Sequence, residues 1–291
     1  MQHSRAPAAP CGQSNPDRSL VMTKPKVLVT GASGLIGGLT LKHLSDSYEF
    51  SALNRRAVKG VACFQADVSD ATAIRPAFKG IDMVLHLAAY TKDIQNWEET
   101  MRVTVNGTLN VFRAAQEAGA QRVVFMSTGS TMCGWEWYDG SPYGMLARGE
   151  YDRIKQPWKM LDYRDPPRPD SPYGVGKLYG EAAARWFSDH HGMSMLCIRL
   201  GAVLDTNRPK LIRHFPGYLD QSDAVQMIER CLAAPLSLKF GIFDAISENS
   251  TRWRDTGPAK NVLGWRPTGS SDRFDPNEFR KTPGPGLPLR F

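Results

Sequence analysis

The sequence predicts an α/β protein, a doubly wound parallel sheet with a small C-terminal substrate lobe. Short apolar runs alternate with segments of helical spacing, as expected when crossover helices join parallel strands. The first run, KVLVTG at residues 26–31, ends in glycine and suits a buried parallel strand. A helix is predicted to follow over residues 35–45, so the first strand leads through a short turn directly into a helix.

The same alternation continues along the chain. Strands are predicted at EFSALN, VACFQAD, DMVLHLAA, QRVVFMST and SMLCIRLG, which are residues 49–54, 61–67, 82–89, 121–128 and 194–201. Helices are predicted over 100–119, with Gly119 as the C-cap, over 171–190 and over 221–234.

The composition divides the chain into a central body and two tails. Residues 1–21 and 271–291 are rich in proline and small residues and are predicted to be a disordered tail and a loose tail. A dinucleotide-binding domain is predicted over 22–200 and a small lobe over 201–270. An aromatic, charged insert near 135–170 is too long for an ordinary connection, so it is interpreted as a cover over a pocket or a peripheral insertion.

Composition also excludes several function classes. The chain has 291 residues and a net charge of +7, but no basic run is interleaved with aromatic residues, so nucleic acid is not expected as a partner. No apolar run of about 18 residues occurs, which argues against a membrane span. The 5 cysteines are scattered without a C-x-x-C pair, so neither a disulfide framework nor a metal site is expected, and a reducing cytoplasm fits best.

The segment TGASGLIGG follows the first predicted strand and opens the first helix. Gly31, Gly34 and Gly37 permit a tight turn and a close approach of the backbone to a pyrophosphate, with Leu35 and Ile36 in the first helical turn. A glycine triplet alone is a weak signal, but this one lies between a strand and an apolar-periodic helix. The segment therefore predicts dinucleotide binding.

The segment SPYGVGKLYGE places Tyr173 and Lys177 one helical turn apart. Ser171 suits the N-cap of this helix and Pro172 its first position. A free tyrosine has a pKa of about 10, and a nearby ammonium group lowers that value by stabilising the phenolate. The pair therefore predicts proton exchange with a substrate hydroxyl, with Tyr173 as the acid/base and Lys177 as its partner.

The glycine loop, a Ser-Thr pair after the fifth strand and the Y-x-x-x-K spacing occur here in the order typical of one superfamily. Residues of about 25–270 resemble the extended short-chain dehydrogenase/reductases, in particular their NAD(P)-dependent epimerase/dehydratase branch. The resemblance implies a Rossmann fold and a nicotinamide cofactor whose ribose Lys177 binds. It also implies that Thr128 holds the substrate oxygen, with Ser127 or Ser130 as alternatives.

The resemblance also implies a set of cofactor contacts. Asp67 would hold the adenine amino group, Asn106 would support the nicotinamide side, and further contacts would come from Val68, Leu87, Ala88 and Ala89. An NAD enzyme usually has an acid at the end of the second strand, but this chain has Asn54, Arg55 and Arg56. Because guanidinium groups bind a 2′-phosphate that a carboxylate would repel, NADP is favoured over NAD.

Two C-terminal stretches, 217–235 and 246–267, resemble the uronate dehydrogenases, which oxidise C1 of a hexuronate. By that resemblance Arg213 would bind the substrate carboxylate, with Thr91 and Ser130 also on the substrate side. The chain departs from the group at Gly129 and Ser130, where the group has Asn-His, and at Ala202, where it has Ser. A small-molecule substrate of the sugar or sugar-acid class is therefore expected, with a different sugar or a simple carbonyl compound as alternatives.

Two other functions remain open at this point. A nucleotide-sugar epimerase or dehydratase shares the loop and the Tyr-Lys pair, although it usually has a larger C-terminal lobe. A dinucleotide-sensing regulatory protein is a second alternative, although relatives of that kind commonly lack the Tyr or the Lys. Extended relatives often pair through a four-helix contact, so a homodimer is expected by resemblance.

Overall fold

A computed structural model describes residues 1, 24–137, 141–155 and 157–279 of the chain. The predicted tail 1–21 lies outside the described residues except for Met1, and so does the end of the chain from residue 280.

One parallel sheet forms the centre of the molecule. Its strands are β1 Lys26–Thr30, β2 Glu49–Asn54, β3 Ala62–Gln65, β4 Met83–His86, β5 Arg122–Thr128, β6 Ser194–Leu200 and β7 Phe240–Ala245. They lie in the order β3-β2-β1-β4-β5-β6-β7, and every neighbouring pair is parallel. β1 pairs with both β2 and β4, so the strand order reverses beside it, and such a switch point leaves a crevice at the carboxyl ends of the strands.

Helices cover both faces of the sheet. They are α1 Leu35–Leu44, α2 Ala71–Ile74, α3 Trp97–Glu99, α4 Gly107–Glu117, α5 Pro142–Arg148, α6 Pro172–His191, α7 His214–Gly217, α8 Gln221–Ala233 and α9 Gly257–Leu263. One apolar core joins a face of the sheet to α1 and α8, and a second joins the other face to α2, α4 and α6. The doubly wound fold class is therefore confirmed. Within the predicted helix 100–119, residues Thr100–Asn106 form a π-helical turn before α4 begins.

The C-terminal part of the chain shares this core rather than forming a separate lobe. β7 extends the sheet beside β6, and α8 packs its apolar side into the core with α1. β7 was not predicted from the sequence, and its first half is only partly buried. Residues 271–279 also differ from the predicted loose tail, since Phe279 is buried against Phe215 and Arg273 pairs with Asp220.

The insert packs against the C-terminal part of the chain. Its apolar residues Tyr143, Leu146 and Leu161 form a third cluster with Met132 and Trp253. Leu161 donates its backbone N–H to the carbonyl oxygen of Trp253 over 2.8 Å. The insert therefore holds the segment around Trp253 against the end of β5.

Across the described ranges, no helix is both long and apolar enough to cross a membrane. In the same part of the chain, no cluster of His, Cys, Asp and Glu has the arrangement of a metal site. Cys63, Cys133, Cys197 and Cys231 are free thiols, and Cys11 lies outside the described residues.

Candidate active site

The glycine loop turns sharply at the carboxyl end of β1. Gly31 has a φ of 71°, and a Cβ atom there would lie 2.9 Å from the backbone nitrogen of Ala88. Only glycine adopts this conformation without strain and permits such a close approach. Gly34 precedes α1 without any side-chain cap, so the first N–H groups of the helix point toward the loop. An uncapped helix N-terminus of this kind is suited to a phosphate.

Gly37 fixes how closely α1 approaches the loop. A Cβ atom at this position would lie 2.5 Å from the carbonyl oxygen of Ala32, well inside van der Waals contact. The next glycine, Gly38, has no atom within 4 Å of such a Cβ and is exposed. The first of these glycines is therefore required by packing, whereas the second is not.

A groove of about 350 Å³ opens at this turn, and we call it the glycine-loop groove. Its lining comprises Gly31, Ser33, Gly34, Leu53, Asn54, Arg55, Arg56, Ala66, Asp67, Val68, Leu87, Ala88, Ala89, Thr91 and Val103. Most of the residues predicted for the cofactor lie together in this lining. Thr91, predicted on the substrate side, also lies here.

Arg55 and Arg56 are exposed at the rim of the groove, beyond the last residue of β2. Asn54 holds the turn that presents them, because its side-chain amide donates to the carbonyl oxygen of Arg56 over 2.8 Å. Ser33 of the glycine loop donates to the side-chain oxygen of Asn54 over 3.2 Å. The turn after β2 is thus tied to the phosphate loop.

Asp67 already has partners in this structure. Its carboxylate accepts hydrogen bonds from the backbone and side chain of Ser69 at 2.9 Å each, and it pairs with Arg102 at 3.3 Å. Although burial raises the pKa of Asp67, these hydrogen bonds bring it below the ordinary value. Asp67 therefore lines the groove as an ionised carboxylate. Arg102, which sequence reasoning missed, lies on the π-helical turn.

Asn106 and His86 differ in their exposure to solvent. Asn106 is exposed on the π-helical turn and does not belong to the groove lining, so its support of the helix at the nicotinamide side stays a prediction. His86 is fully buried, with one ring nitrogen 2.7 Å from the hydroxyl oxygen of Thr30 and the other 3.0 Å from that of Thr108. Burial lowers the pKa of His86 well below its usual range, so it is a packed neutral residue.

Helix α6 presents the Tyr-Lys pair to β5. The helix begins as predicted, with the Ser171 hydroxyl accepting the N–H of Gly174 over 3.2 Å and Pro172 at the first position. A Cβ atom at Gly180 would lie 2.3 Å from the Phe125 ring, and one at Gly174 would lie 2.6 Å from the carbonyl oxygen of Ser130. Glycines on the contact face therefore let α6 lie directly against β5 and the residues that follow it.

Lys177 is buried beside the tyrosine. Its ammonium nitrogen donates to the carbonyl oxygen of Met126 over 2.6 Å and lies 5.7 Å from the centre of the Tyr173 ring. Burial lowers the pKa of Lys177 to about 7. Burial also raises the pKa of Tyr173 to about 12, although a hydrogen bond with Thr128 acts in the opposite direction. The expected lowering of the tyrosine pKa is therefore absent, because desolvation outweighs the interaction with Thr128.

The hydroxyl groups predicted at the end of β5 have different partners in the structure. Thr128 hydrogen-bonds to Tyr173 and also accepts the N–H of Ser130 over 3.2 Å. Ser127 points to the other face of the sheet, where its hydroxyl donates to Glu181 over 2.6 Å. Ser127 is therefore committed elsewhere, which leaves Thr128 as the hydroxyl beside the phenol.

Glu181 anchors α6 to the sheet, and sequence reasoning missed it. Its carboxylate binds Arg199 of β6 through two hydrogen bonds of 2.9 and 2.8 Å, and both side chains are buried. Since Glu181 lies one turn after Lys177, this bidentate pair fixes the turn of the helix that carries the lysine. In the sequence Glu181 follows Lys177 by four residues, a spacing that places both side chains on the same helical face.

A second cavity of about 180 Å³ lies beside Thr128, and we call it the Thr128 cavity. Its lining comprises Thr128, Gly129, Ser130, Cys133, Glu136, Asp170, Leu200, Gly201, Ala202, Arg213, His214, Gly217, Trp253 and Arg254. The structure thus brings Thr128, Ser130 and Arg213 together, as predicted. It adds Glu136 and Asp170 from the ends of the insert, and Arg254 from the segment after β7.

Arg213 and Arg254 are both ion-paired. Arg213 contacts Glu136 at 2.6 Å and Asp170 at 3.1 Å, and Arg254 contacts Asp244 at 2.9 Å. The guanidinium group of Arg254 also lies against Gly129, where a Cβ atom would come within 2.6 Å of it. Glycine after Thr128 is therefore required by the arginine, a relation between residues more than one hundred positions apart that no local pattern reveals.

Together, the doubly wound sheet and the uncapped glycine turn, with a Tyr-Lys pair beside Thr128, define the class of a dinucleotide-binding protein. Residues 27–255 match the NAD dependent epimerase/dehydratase family, and the chain belongs to that family. The predicted family is thus confirmed.

Curated relatives cover most of the chain. An NAD-dependent glucose-6-phosphate dehydrogenase of Haloferax volcanii is 30% identical over 258 residues, which are 85% of this chain and 95% of the relative. An L-arabinose 1-dehydrogenase (NAD(P)(+)) of the same organism is 31% identical over 256 residues, 84% of this chain and 97% of the relative.

A solved structure extends the similarity to the fold. A mutant of uronate dehydrogenase from Agrobacterium tumefaciens, complexed with NAD, superposes with a TM-score of 0.75 at 26% identity. The match covers 91% of this chain and 92% of that one. The predicted similarity to uronate dehydrogenases is therefore confirmed, alongside similarity to dehydrogenases of other sugars.

Proposed function

We propose that this protein is an NAD(P)-dependent dehydrogenase that transfers hydride between a nicotinamide cofactor and the hydroxyl or carbonyl carbon of a sugar or sugar acid. The observation that carries the proposal is the side-chain interaction of Tyr173 with Thr128, a residue that lines the Thr128 cavity, with Lys177 buried 5.7 Å from the centre of the phenol ring. The similarity to sugar dehydrogenases over most of the chain supports the same reaction class.

The chain's own residues supply the proton chemistry. In the oxidation direction Thr128 would hold the substrate oxygen and the phenolate form of Tyr173 would accept the hydroxyl proton, while a bound dinucleotide would supply the hydride acceptor. Because the pKa of Lys177 is about 7, this lysine gains or loses its proton near neutrality. Its charged form, 5.7 Å from the ring centre of Tyr173, stabilises the phenolate during transfer.

For the cofactor, we propose NADP in preference to NAD. Arg55 and Arg56 lie exposed at the rim of the glycine-loop groove, where β2 ends. The adjacent Asn54 carries no charge that would repel a 2′-phosphate, and its hydrogen bond to Arg56 fixes the turn. On the other side of the groove Arg102 is shared between Glu99 at 2.9 Å and Asp67 at 3.3 Å, so the cationic groups available at the rim are Arg55 and Arg56.

The experiment that tests the reaction is a substrate screen. Neutral aldoses, hexuronates and simple carbonyl compounds are incubated with the protein and each nicotinamide cofactor, and absorbance of the reduced nicotinamide is followed. We expect turnover with at least one sugar and higher kcat/KM with NADP than with NAD. Tight retention of cofactor without net turnover would instead indicate an epimerase.

We also propose that a second copy of this chain packs on the outer face of α6. Val175, Tyr179 and Trp186 lie on one side of that helix and are 38%, 37% and 49% exposed. Trp97 and Met101 add 54% and 46% exposed apolar side chains on the segment before α4. Large exposed apolar patches are typical of protein interfaces.

Sedimentation velocity tests the dimer. The wild-type chain is expected to sediment as a dimer and Trp186→Glu as a monomer, because a charge at the centre of an apolar interface is strongly unfavourable. Val262→Glu is the matched control, since Val262 is 54% exposed on α9, away from α6. A monomeric wild type would contradict the proposal.

A further inference from the structure

The Thr128 cavity contains Arg213, the arginine expected to bind a substrate carboxylate. Two carboxylates of the protein itself are already paired with this arginine. Arg213 lies between Glu136, which follows β5, and Asp170, which precedes α6. Glu136 is 3% exposed, and its oxygen lies 2.6 Å from the arginine Nε. The contact is therefore a buried, charge-assisted hydrogen bond rather than a surface pairing.

Asp170 is held in place independently of the arginine. One carboxylate oxygen accepts the hydroxyl of Ser171 over 2.8 Å, and the other lies 3.1 Å from Arg213. Its backbone N–H donates to the carbonyl oxygen of Ser130 over 3.1 Å. The carboxylate is thus fixed at the start of the helix that carries Tyr173.

The remaining cationic groups of the lining are also matched. Arg254 and its partner Asp244 are each 3% exposed and lie 2.9 Å apart. Burial, together with Arg213 and Lys210, lowers the pKa of His214 to about 4, so this imidazole is neutral near pH 7. Counting Arg213, Arg254, Glu136, Asp170 and Asp244, the charged groups sum to −1. With these five groups ionised, no excess positive charge awaits an anion.

We propose that the Thr128 cavity takes an uncharged sugar, and that Glu136 and Asp170 select it over the corresponding uronate. This inference rests on the proposed function and deepens it. A uronate carboxylate that approaches Arg213 meets two fixed carboxylates on the same guanidinium, and like-charge contacts in a buried site are unfavourable. The hydroxyl groups of a neutral sugar instead donate to carboxylate oxygens, which are strong acceptors. Arg213, expected from resemblance to bind the substrate carboxylate, is instead the group that orients these two acids.

Binding to the wild-type protein tests the selection without turnover. The protein is saturated with NADPH, so that an aldose forms a dead-end complex, and binding is followed by isothermal titration calorimetry. D-glucose is compared with D-glucuronate, and D-galactose with D-galacturonate, because each pair differs at C6 alone. We expect the neutral member of each pair to bind about tenfold more tightly or better.

Substitutions of the two acids sharpen the test. Asp170→Asn removes one of the two carboxylates that repel a uronate, and the double variant Glu136→Gln/Asp170→Asn also leaves Arg213 with unmatched positive charge, so in both the ratio of neutral-sugar to uronate affinity is expected to fall by about tenfold. Glu278→Gln is the matched control, because Glu278 pairs with Arg208 at the surface, where both side chains are about half exposed. This control is expected to leave the ratio unchanged.

The outcomes distinguish a failure of the proposed sugar selectivity from a failure of the proposed dehydrogenase function. Equal or tighter binding of the uronate by the wild type, binding of neither sugar, or an unchanged ratio in folded Asp170→Asn would overturn the inference. If the double variant unfolds, the wild-type ratio and Asp170→Asn still decide. Absence of nicotinamide reduction with every sugar, despite the expected binding ratio, would instead reject the dehydrogenase function.

Discussion

The glycine-loop groove and the Thr128 cavity lie at the carboxyl ends of the same sheet, but the chain builds them differently. The groove draws on residues 31–103 and relies largely on backbone positions at strand ends. The cavity joins residues 128–254, and buried ion pairs between distant segments decide its charge. The comparison shows that a site made by backbone geometry follows from local spacing, whereas a site made by side-chain charges depends on which segments meet.

The largest expected effect is at Tyr173, which interacts with Thr128 of the cavity. Tyr173→Phe removes the phenolic hydroxyl that exchanges the proton, so kcat is expected to fall by about 10²–10⁴-fold. Steady-state kinetics measure the loss, and fluorescence titration with NADPH serves as the control, because cofactor affinity is expected to be unchanged. Wild-type turnover in this variant would remove Tyr173 from the mechanism.

The next effect concerns the rim of the groove. Arg55→Asp replaces a phosphate partner with a group that repels phosphate and accepts the ribose hydroxyl, so the NADP-to-NAD preference in kcat/KM is expected to fall by about 100-fold or more. Lys79→Asp makes a comparable charge change on an exposed residue before β4, at the opposite end of the sheet, and is expected to keep the preference. An unaltered NADP affinity in the Arg55 variant would count against the phosphate contact.

A smaller effect tests the backbone geometry of the groove. Gly37→Ala places a Cβ atom 2.5 Å from the carbonyl oxygen of Ala32, so the turn must shift and dinucleotide affinity is expected to fall about tenfold. Gly38→Ala meets no atom within 4 Å and is expected to raise stability by about 0.5–1 kcal/mol, because alanine favours a helix interior. Cofactor titration and thermal unfolding of both variants provide the measurements.

The smallest effect is a pH dependence of stability. The pKa of Lys177 falls from its ordinary 10.5 to about 7 in the folded protein. Between these values the unfolded chain binds the proton that the folded chain has released, so the free energy of unfolding rises with pH. Lys177→Met is expected to flatten this rise.

Thermal unfolding of the cofactor-free protein between about pH 7 and 8.5 gives the comparison. Unfolded thiols ionise at about pH 8.5, the upper end of that window, and because burial raises the pKa of both Cys197 and Cys231 they oppose the trend there, equally in wild type and in Lys177→Met. Lys59→Met, at an exposed lysine, is the matched control. Equal pH slopes in wild type and Lys177→Met would contradict the burial of an uncharged lysine.

The predicted elements show where local pattern was sufficient. The predicted ends of the strands lie within three residues of the observed ends of β1–β6, because a short apolar run bounded by glycine or polar residues marks a parallel strand. β7 was not predicted, since its segment was assigned to the C-terminal lobe. The π-helical turn before α4 has ordinary helical spacing in the sequence, so its wider winding was not visible.

By itself, the sequence determined the doubly wound sheet, the glycine turn at β1 and the placement of Tyr173 and Lys177 on one helical face, since strand and helix periodicity fix these relations over short distances. The tertiary structure decided that the Ser127 hydroxyl binds Glu181 instead of lying beside Thr128, and that desolvation raises the pKa of Tyr173. It also decided that Arg213 is matched by Glu136 and Asp170. These features depend on desolvation and on contacts between segments far apart in the chain, and neither is encoded in local spacing.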